Sequence, residues 1–203
     1  KEAGRRKEIQ ARLVELRKNF AENNPEVPSD LCHVYGKYFH QYLHDLAYCQ
    51  EFARKNRETI AKVLLKRTGI SGGEGFHTTH NYIDTEENIL RKGAIAAHKG
   101  EVVLIPINMR DGSVLAVGKG NAEWNYSAPH GAGRLMSRSQ AKEQLSMEEF
   151  KQSMEGVYTT SVNEFTLDES PMAYKSLDDI IDVIDETVEI IDVMKPVYNF
   201  KAG

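Results

Sequence analysis

The stretch GAIAAHKGEVVLIPINMRDGSVLAV, residues 93–117, decides the fold class of this 203-residue chain. It contains three short apolar runs rich in branched side chains, at residues 93–97, 102–106 and 114–117. Glycine or a turn pair such as Asp111-Gly112 bounds each run, which is the pattern of β-strands joined by short turns. The stretch therefore predicts a sheet-rich centre.

Two helical patterns precede this centre. The first has apolar residues at helical spacing: Ile9, Leu13, Leu16 and Phe20. The second covers about residues 36–66, and its predicted buried side consists of Phe39, Leu43, Leu46, Ala53, Ile60 and Leu64. A spacing of three and four residues is typical of an amphipathic helix. We therefore expect two helices before the sheet.

Helical patterns also follow the centre. Ser146-Met-Glu-Glu149 and Ser176-Leu-Asp-Asp179 both have the capping-box pattern that begins a helix. The first predicted helix ends near Met154, and the second continues through branched residues to Met194. The predicted fold class is α+β, with a sheet-rich centre and flanking helices.

Composition and charge exclude several classes of protein. Fifteen Gly, six Pro and two Cys exclude a collagen or a disulfide scaffold, and the two cysteines fit a reducing, cytoplasmic location. No apolar run approaches the ~20 residues of a membrane span, so we expect no membrane partner. The net charge of −4 argues against a non-specific nucleic-acid coat. Residues 1–67 nevertheless carry fourteen Lys/Arg against nine Asp/Glu, so RNA would bind a local basic surface.

The densest cluster of chemically active residues is NYSAPHGAGR, residues 125–134, in which His130 precedes a Gly-Ala-Gly loop. Glycines allow backbone N–H groups to approach a phosphate, and we expect the loop to lead into a helix whose N-terminus attracts anions. Arg134 and Arg138 suit phosphate oxygens. A histidine here can act on phosphorus as nucleophile, base or acid. The alternative is a structural turn with an exposed histidine.

A second cluster is His77-Thr-Thr-His80-Asn81. Imidazole is a common ligand of Mn, Fe, Zn and Ni, so this cluster can indicate a metal or nucleotide site. The alternative is a loop with two solvated histidines, because no third ligand follows at diagnostic spacing. For one site, His80 and His130 must converge at the end of the sheet, and we predict that they do. Gly118-Lys-Gly-Asn121 can hold a phosphate or form a turn.

Several short motifs follow one another in a fixed order along the chain. They are His80-Asn-Tyr-Ile, Arg91-Lys-Gly-Ala94, Ile105-Pro106 with Met109 and Ser113, Gly118-Lys-Gly-Asn121, Ala128-Pro-His-Gly-Ala-Gly-Arg134, Met136-Ser-Arg138, Asp168-Glu169, Ala173-Tyr-Lys175 and Lys201. In order and spacing they resemble the RNA-splicing ligase RtcB family from about Tyr35 onward. The resemblance implies an RtcB-type fold in which residues 1–203 are the C-terminal portion of a single catalytic domain.

The resemblance implies a GTP- and Mn²⁺-dependent RNA ligase. Such an enzyme joins an RNA 3′-phosphate or 2′,3′-cyclic phosphate end to a 5′-hydroxyl end. His130 corresponds to the catalytic nucleophile, which takes GMP from GTP, releases pyrophosphate and passes the GMP to the RNA 3′-phosphate. The implied partners are GTP and RNA, either tRNA halves in splicing or broken ends in repair.

The resemblance also assigns the binding residues. His80 corresponds to a Mn²⁺ ligand. The implied nucleotide-binding set consists of His80, Asn81, Pro106, Ile107, Asn108, Met109, Ser113, His130, Gly131, Ala132, Gly133, Tyr174 and Lys201. The family has Gly-Ser where this chain has Ile107-Asn108, so the chain looks like a variant subgroup.

Three further metal-site motifs of the family are absent from this sequence. They are an Asp/Cys pair, a histidine in Gly-Asn-His-Phe and a histidine in His-Ser-Gly-Ser-Arg. We therefore expect a C-terminal half whose partner is the missing N-terminal half of the same fold. One alternative is a non-catalytic nucleotide- or RNA-binding fragment, or a subunit of a split enzyme. Another is a phosphotransferase or phosphatase in which His130 becomes a phosphohistidine.

Overall fold

The computed structural model describes residues 2–23, 31, 33–73 and 75–201. The chain divides into two compact units, Lys1–Gly69 and Ile70–Gly203. Helices and antiparallel sheets are both present, which confirms the α+β class. Within the described ranges, no helix is long and apolar enough to span a bilayer. Cys49 is an exposed free thiol, and Cys32 lies outside the described residues.

The first unit contains the two predicted helices, α1 (Glu2–Asn23) and α2 (Lys37–Thr68). Helix α2 ends at Gly69, whose left-handed backbone (φ 70°) is a common helix C-terminus. The predicted buried side of α2 is wrong in part, because no residue of this helix is fully buried. Leu43, Leu46 and Ala53 in its middle are half-buried, whereas Phe39, Ile60 and Leu64 towards its ends are exposed.

The described residues of the second unit form eight strands in three sheets. The strands are β1 (His80–Asp84), β2 (Ile89–Ala96), β3 (Val102–Asn108), β4 (Gly112–Gly118), β5 (Ser127–Pro129), β6 (Tyr158–Thr159), β7 (Val188–Met194) and β8 (Tyr198–Asn199). Two antiparallel sheets have the orders β1-β2-β5 and β3-β4-β7, and β6 pairs in parallel with β8. The three predicted strands correspond to β2, β3 and β4.

Short helices connect these strands. They are the α-helices α3 (Arg138–Gln144), α4 (Met147–Ser153) and α5 (Leu177–Ile184), and the 3₁₀ helices Ala122–Trp124, Glu164–Glu169 and Pro171–Ala173. Both predicted capping boxes are present, at Ser146 and Ser176. In each, the serine side chain accepts a backbone N–H of the first turn, which stabilises the helix start by about 1 kcal/mol.

The predicted continuation of the last helix to Met194 is wrong. The helix ends at Ile184, and Val188–Met194 is a strand that pairs with β4. Thr187 closes the turn between them by donating its N–H and its hydroxyl to the Ile184 carbonyl. The residues of 188–194 are rich in branched side chains, which favour a strand when an unpaired edge such as that of β4 is available.

Two apolar clusters form the core of the second unit. The larger joins β2, β3, β4, β5, β7, α5 and nearby loop residues: Ile95, Ala97, Val103, Ile105, Ile107, Val114, Ala116, Ala128, Ala132, Ile180, Ile184 and Val188. The smaller consists of Met109, Phe150, Met154 and Leu167. The end of β3 contributes Ile107 to the larger cluster, and the turn that follows β3 contributes Met109 to the smaller one. Both residues also line the candidate pocket.

Candidate functional site

His130 stands directly after β5, next to the middle of β2. Pro129 pairs with Ala94 in the β2–β5 ladder, and the Nδ1 atom of His130 lies 2.7 Å from the carbonyl oxygen of Gly93. A carbonyl oxygen can only accept a hydrogen bond, so Nδ1 carries the proton and donates it. In the neutral ring, Nε2 then holds the lone pair. The backbone thus leaves Nε2 as the nucleophilic atom.

His80 begins β1 and lies against His130. The two imidazole rings are stacked, with centroids 4.9 Å apart and planes 18° apart. The prediction that these histidines converge is therefore confirmed. Their roles as metal ligand and nucleophile stay predictions.

His130 and residues at the end of β3 line a pocket of about 730 Å³. Its lining comes from three segments and a few side chains between them: Pro106, Ile107, Asn108, Met109, Gly112 and Ser113; His130, Gly131, Ala132, Gly133, Arg134 and Arg138; Glu169 and Tyr174; and Met194, Lys195, Pro196, Asn199 and Lys201. Every predicted nucleotide contact except His80 and Asn81 is in this lining. The volume is typical of a small-molecule site.

The side chain of Asn108 shapes the turn between β3 and β4. Its Oδ1 accepts the backbone N–H groups of Arg110 (3.0 Å) and Asp111 (2.9 Å), and its Nδ2 donates to the Asp111 carboxylate (2.8 Å). Asparagine commonly closes turns in this way. This turn chemistry accounts for the asparagine of the Ile107-Asn108 variant, because both polar atoms of its side chain bond within the turn.

Glu169 is the centre of a charged wall of the pocket. Its carboxylate accepts the hydroxyl of Tyr174 (2.7 Å) and the ammonium of Lys201 (3.1 Å). Burial alone would raise the pKa of Glu169, but these two hydrogen bonds and the nearby positive charges leave its pKa below the ordinary value. Burial and the bond to Glu169 raise the pKa of Tyr174 to about 12. Tyr174 therefore stays a donor, and Lys201 is held over the pocket.

The two arginines predicted for phosphate binding differ in position. Arg134 donates to the carbonyl oxygens of Met136 and Asp168 and to the hydroxyl of Tyr174, so its guanidinium joins the walls of the pocket. Arg138 is 77% exposed, and its nearest carboxylate contacts are 3.7 and 4.0 Å away. Arg138 is therefore the arginine with capacity for a phosphate.

The predicted helix does not follow the glycine loop directly. Helix α3 begins only at Arg138, and the Ser137 side chain already accepts an N–H of its first turn. The Ala132 N–H donates to the Pro106 carbonyl at 3.2 Å, so the loop is fastened to β3. Beyond the loop, this region adds the cationic side chains of Arg134 and Arg138 to the pocket lining.

Backbone N–H groups of the other candidate phosphate loop, Gly118-Lys-Gly-Asn121, are hydrogen-bonded within the fold. The N–H groups of Gly118, Lys119 and Gly120 donate to the carbonyls of residues 101, 187 and 97. These amides are thus unavailable to a phosphate, which favours the turn interpretation.

A group that sequence reasoning missed lies at the turn of β1 and β2. Asp84, Glu87 and His98 have ligand atoms within 4.8 Å of one another, as a metal site requires. The buried guanidinium of Arg91 already contacts both carboxylates, at 3.1 and 3.4 Å. Because Arg91 supplies the positive charge there, the group is a structural network.

Sequence reasoning also missed Gly93 and Glu169. A glycine inside an apolar strand pattern often marks a bulge or a close approach, so Gly93 carried a usable signal. Glu169 entered only as part of a motif. Its contact with Lys201 joins residues distant in sequence, which periodicity cannot reveal.

The fold and the site define an α+β protein with a histidine in the lining of a pocket of small-molecule size. The profile of the family described as tRNA-splicing ligase RtcB matches residues 9–202. The chain belongs to the RtcB family.

Three relatives illustrate the similarity. The RNA-splicing ligase RtcB of Escherichia coli (strain K12) is 32% identical over 178 residues, covering 79% of this chain and 43% of that relative. The tRNA-splicing ligase RtcB of Archaeoglobus fulgidus is 34% identical over 169 residues, covering 68% and 35%. That of Aeropyrum pernix is 40% identical over 89 residues, covering 41% and 18%. The matched part is less than half the length of each relative.

Proposed function

We propose that this chain carries the nucleotide-activating site of a GTP-dependent RNA ligase. One observation carries the proposal: the Nδ1–H of His130 is bonded to the Gly93 carbonyl, which leaves Nε2 as the nucleophilic atom of a histidine that lines the pocket. Membership of a family whose curated members are named RNA- or tRNA-splicing ligases supports it.

The chemistry begins with attack of Nε2 on the α-phosphorus of GTP. A nitrogen–phosphorus bond forms, the bond to the bridging oxygen breaks, and pyrophosphate leaves with the electron pair. The imidazole keeps its Nδ1 proton, and the Gly93 carbonyl stabilises the positive charge that develops on the ring.

The second stage transfers GMP to an RNA end. A 3′-phosphate oxygen attacks the phosphorus of the histidine adduct, which restores neutral His130 and gives the RNA a GMP leaving group. The 5′-hydroxyl of the second RNA then attacks the activated 3′-phosphate, loses its proton and displaces GMP.

The lining of the pocket suits the nucleotide. The Lys201 ammonium, which is bonded to Glu169, is a hydrogen-bond donor for the guanine base. The hydroxyl of Tyr174 is bonded to the same carboxylate. Exposed Arg138 provides a guanidinium for phosphate oxygens. The loop 131–133 and residues 106–109, 112 and 113 line the same pocket.

We further propose Mn²⁺ as the metal of the complete reaction, with His80 as one ligand. Imidazole suits Mn²⁺. Within the described residues, however, His80 belongs to no group of three close His, Cys, Asp or Glu ligands. These residues do not provide a full ligand set at His80, so no step above depends on the metal.

The intact mass of the chain after incubation with GTP and Mn²⁺ tests this function. We expect the mass to increase by one GMP, and the increase to be absent in His130→Ala. The control is His33→Ala, which removes an exposed histidine outside the pocket and keeps the adduct. An adduct that persists in His130→Ala would contradict the proposal. GTP binding without any adduct would favour a nucleotide-binding module instead.

A further inference from the structure

The ladder between β1 and β2 is interrupted beside His130. His80 pairs with Ile95, but the next pair is Tyr82 with Arg91, so one residue of β1 faces three residues of β2. Asn81 and Gly93 lie in this bulge, and both have left-handed backbones, with φ of 57° and 69°. Bulges beside active sites redirect side chains and backbone groups. Here the bulge separates His80, which stacks on His130, from the regular part of the β1–β2 ladder.

The side chain of Asn81 replaces the missing ladder bond. Its Oδ1 accepts the N–H of Gly93 at 2.7 Å. The carbonyl of the same glycine accepts the Nδ1–H of His130, also at 2.7 Å. The β2–β5 pairing fixes the following residue, because Ala94 lies opposite Pro129. Gly93 is therefore held on both sides while its carbonyl faces the imidazole.

We propose that Asn81 is a positioning residue that sets the tautomer and orientation of His130 through Gly93. Glycine has wide conformational freedom, so without a partner for its N–H the Gly93 backbone can turn its carbonyl away from the ring. Asparagine suits this position because it provides an acceptor and also tolerates a left-handed backbone. The consequence for catalysis rests on the proposed function, whereas the tautomer of His130 does not.

This role differs from a direct nucleotide contact. Asn81 is not among the residues that line the described pocket. Its Oδ1 accepts a backbone N–H, so this side chain is bonded to the protein itself. A positioning role predicts a shifted His130 tautomer and slower adduct formation at saturating GTP, whereas a nucleotide contact alone predicts weaker GTP binding with an unchanged tautomer.

The direct test is ¹⁵N NMR of histidine-labelled chain at a pH well above the ordinary histidine pKa. Wild type shows His130 protonated at Nδ1. Asn81→Gly keeps the left-handed backbone but removes the acceptor, and we expect the Nδ1 and Nε2 signals of His130 to shift towards a mixture of tautomers. Asn81→Asp keeps the acceptor and retains the wild-type pattern. A wild-type pattern in Asn81→Gly overturns the proposal.

A matched control comes from the same hairpin. Asn88 also has a left-handed backbone (φ 58°), so Asn88→Gly makes the same substitution away from Gly93 and leaves the His130 signals unchanged. Gly93→Ala tests the other end of the contact, because a Cβ there would lie 3.4 Å from the His130 ring and the backbone would be strained. We expect this variant to shift the His130 signals as well.

The kinetic test measures GMP-adduct formation and GTP affinity in parallel. We expect Asn81→Gly to form the adduct about tenfold more slowly at saturating GTP, a typical effect of removing a supporting residue. Weaker GTP binding with an intact His130 tautomer would overturn the positioning role. If wild type forms no adduct, the proposed function fails, but the NMR comparison still decides the role of Asn81.

Discussion

Buried Arg91 shows how a single residue supports the site from behind. Its side chain is 1% exposed and donates to Ser127 in β5, Tyr82 in β1 and the Asn125 carbonyl. It therefore connects the outer strands of the sheet whose middle strand carries Gly93. Charge and hydrogen bonding, rather than apolar packing, hold the strands together here.

We expect Arg91→Met to lower the free energy of unfolding by about 3 kcal/mol, because Asp84, Glu87 and the Asn125 carbonyl lose their shared partner. Urea unfolding measures the effect. The control is Lys92→Met, which changes the exposed neighbour and should cost less than ~0.5 kcal/mol. Equal effects of the two substitutions would show that the Arg91 network contributes nothing specific.

The Glu169 carboxylate predicts a pH dependence of stability. Its pKa in the folded chain lies below the ordinary value of 4.5, so it stabilises the fold above that value and loses the effect as the pH falls through the folded pKa. We expect Glu169→Gln to be less stable than wild type at neutral pH. The difference should shrink as the pH drops below about 4, near the ordinary carboxyl pKa. A difference that stays constant with pH would contradict this assignment.

At the scale of elements, the hairpin of β3 and β4 is tightly joined to β7. Gly112 begins β4 with φ 82°, and a Cβ on it would lie 2.0 Å from the Met194 carbonyl oxygen. Only glycine fits between the turn and the end of β7. The neighbouring pair of Ser113 with Met194 ends this ladder, beside the pocket.

We expect Gly112→Ala to destabilise the chain by about 2 kcal/mol more than Gly100→Ala, because overpacking adds to backbone strain. Gly100 also has a left-handed backbone (φ 84°), but its Cβ would meet open space. Gly100→Ala should therefore lower the free energy of unfolding only by the backbone strain, roughly 1–2 kcal/mol. Urea unfolding gives both values, and hydrogen exchange should show faster opening of the β4–β7 ladder in Gly112→Ala alone. Similar exchange in both variants would argue against the predicted clash.

The strands and capped helices illustrate what the sequence can predict. Local signals found β2, β3 and β4 and the starts of α4 and α5, because each depends on adjacent residues. The same local signals predicted a helix over Val188–Met194, because the spacing of its apolar residues allows a helix or a strand. The pairing with β4, which is distant in sequence, makes this segment a strand. The meeting of His80 and His130 was predicted from the requirement that both histidines serve one site. The Asn81 and Gly93 bulge was not, because it depends on strand register.

At the scale of the whole molecule, the core and the pocket both belong to the second unit. Every member of the two apolar clusters, and every residue lining the pocket, lies within Ile70–Gly203. Helix α2 of the first unit has no fully buried residue. A unit with its own core can fold alone. The second unit therefore has the features of an independently folding unit that contains the candidate site.

We expect residues 70–203, expressed alone, to keep the unfolding midpoint of this unit in the full chain, because no core residue is removed. The single tryptophan, Trp124, reports on this unit, since its indole N–H donates to Glu186 at 2.8 Å. Urea unfolding followed by tryptophan fluorescence measures both chains. Far-UV circular dichroism of the full chain should reveal the helices of residues 1–69 as a separate signal change. A midpoint that falls markedly on truncation would show instead that the first unit stabilises the second.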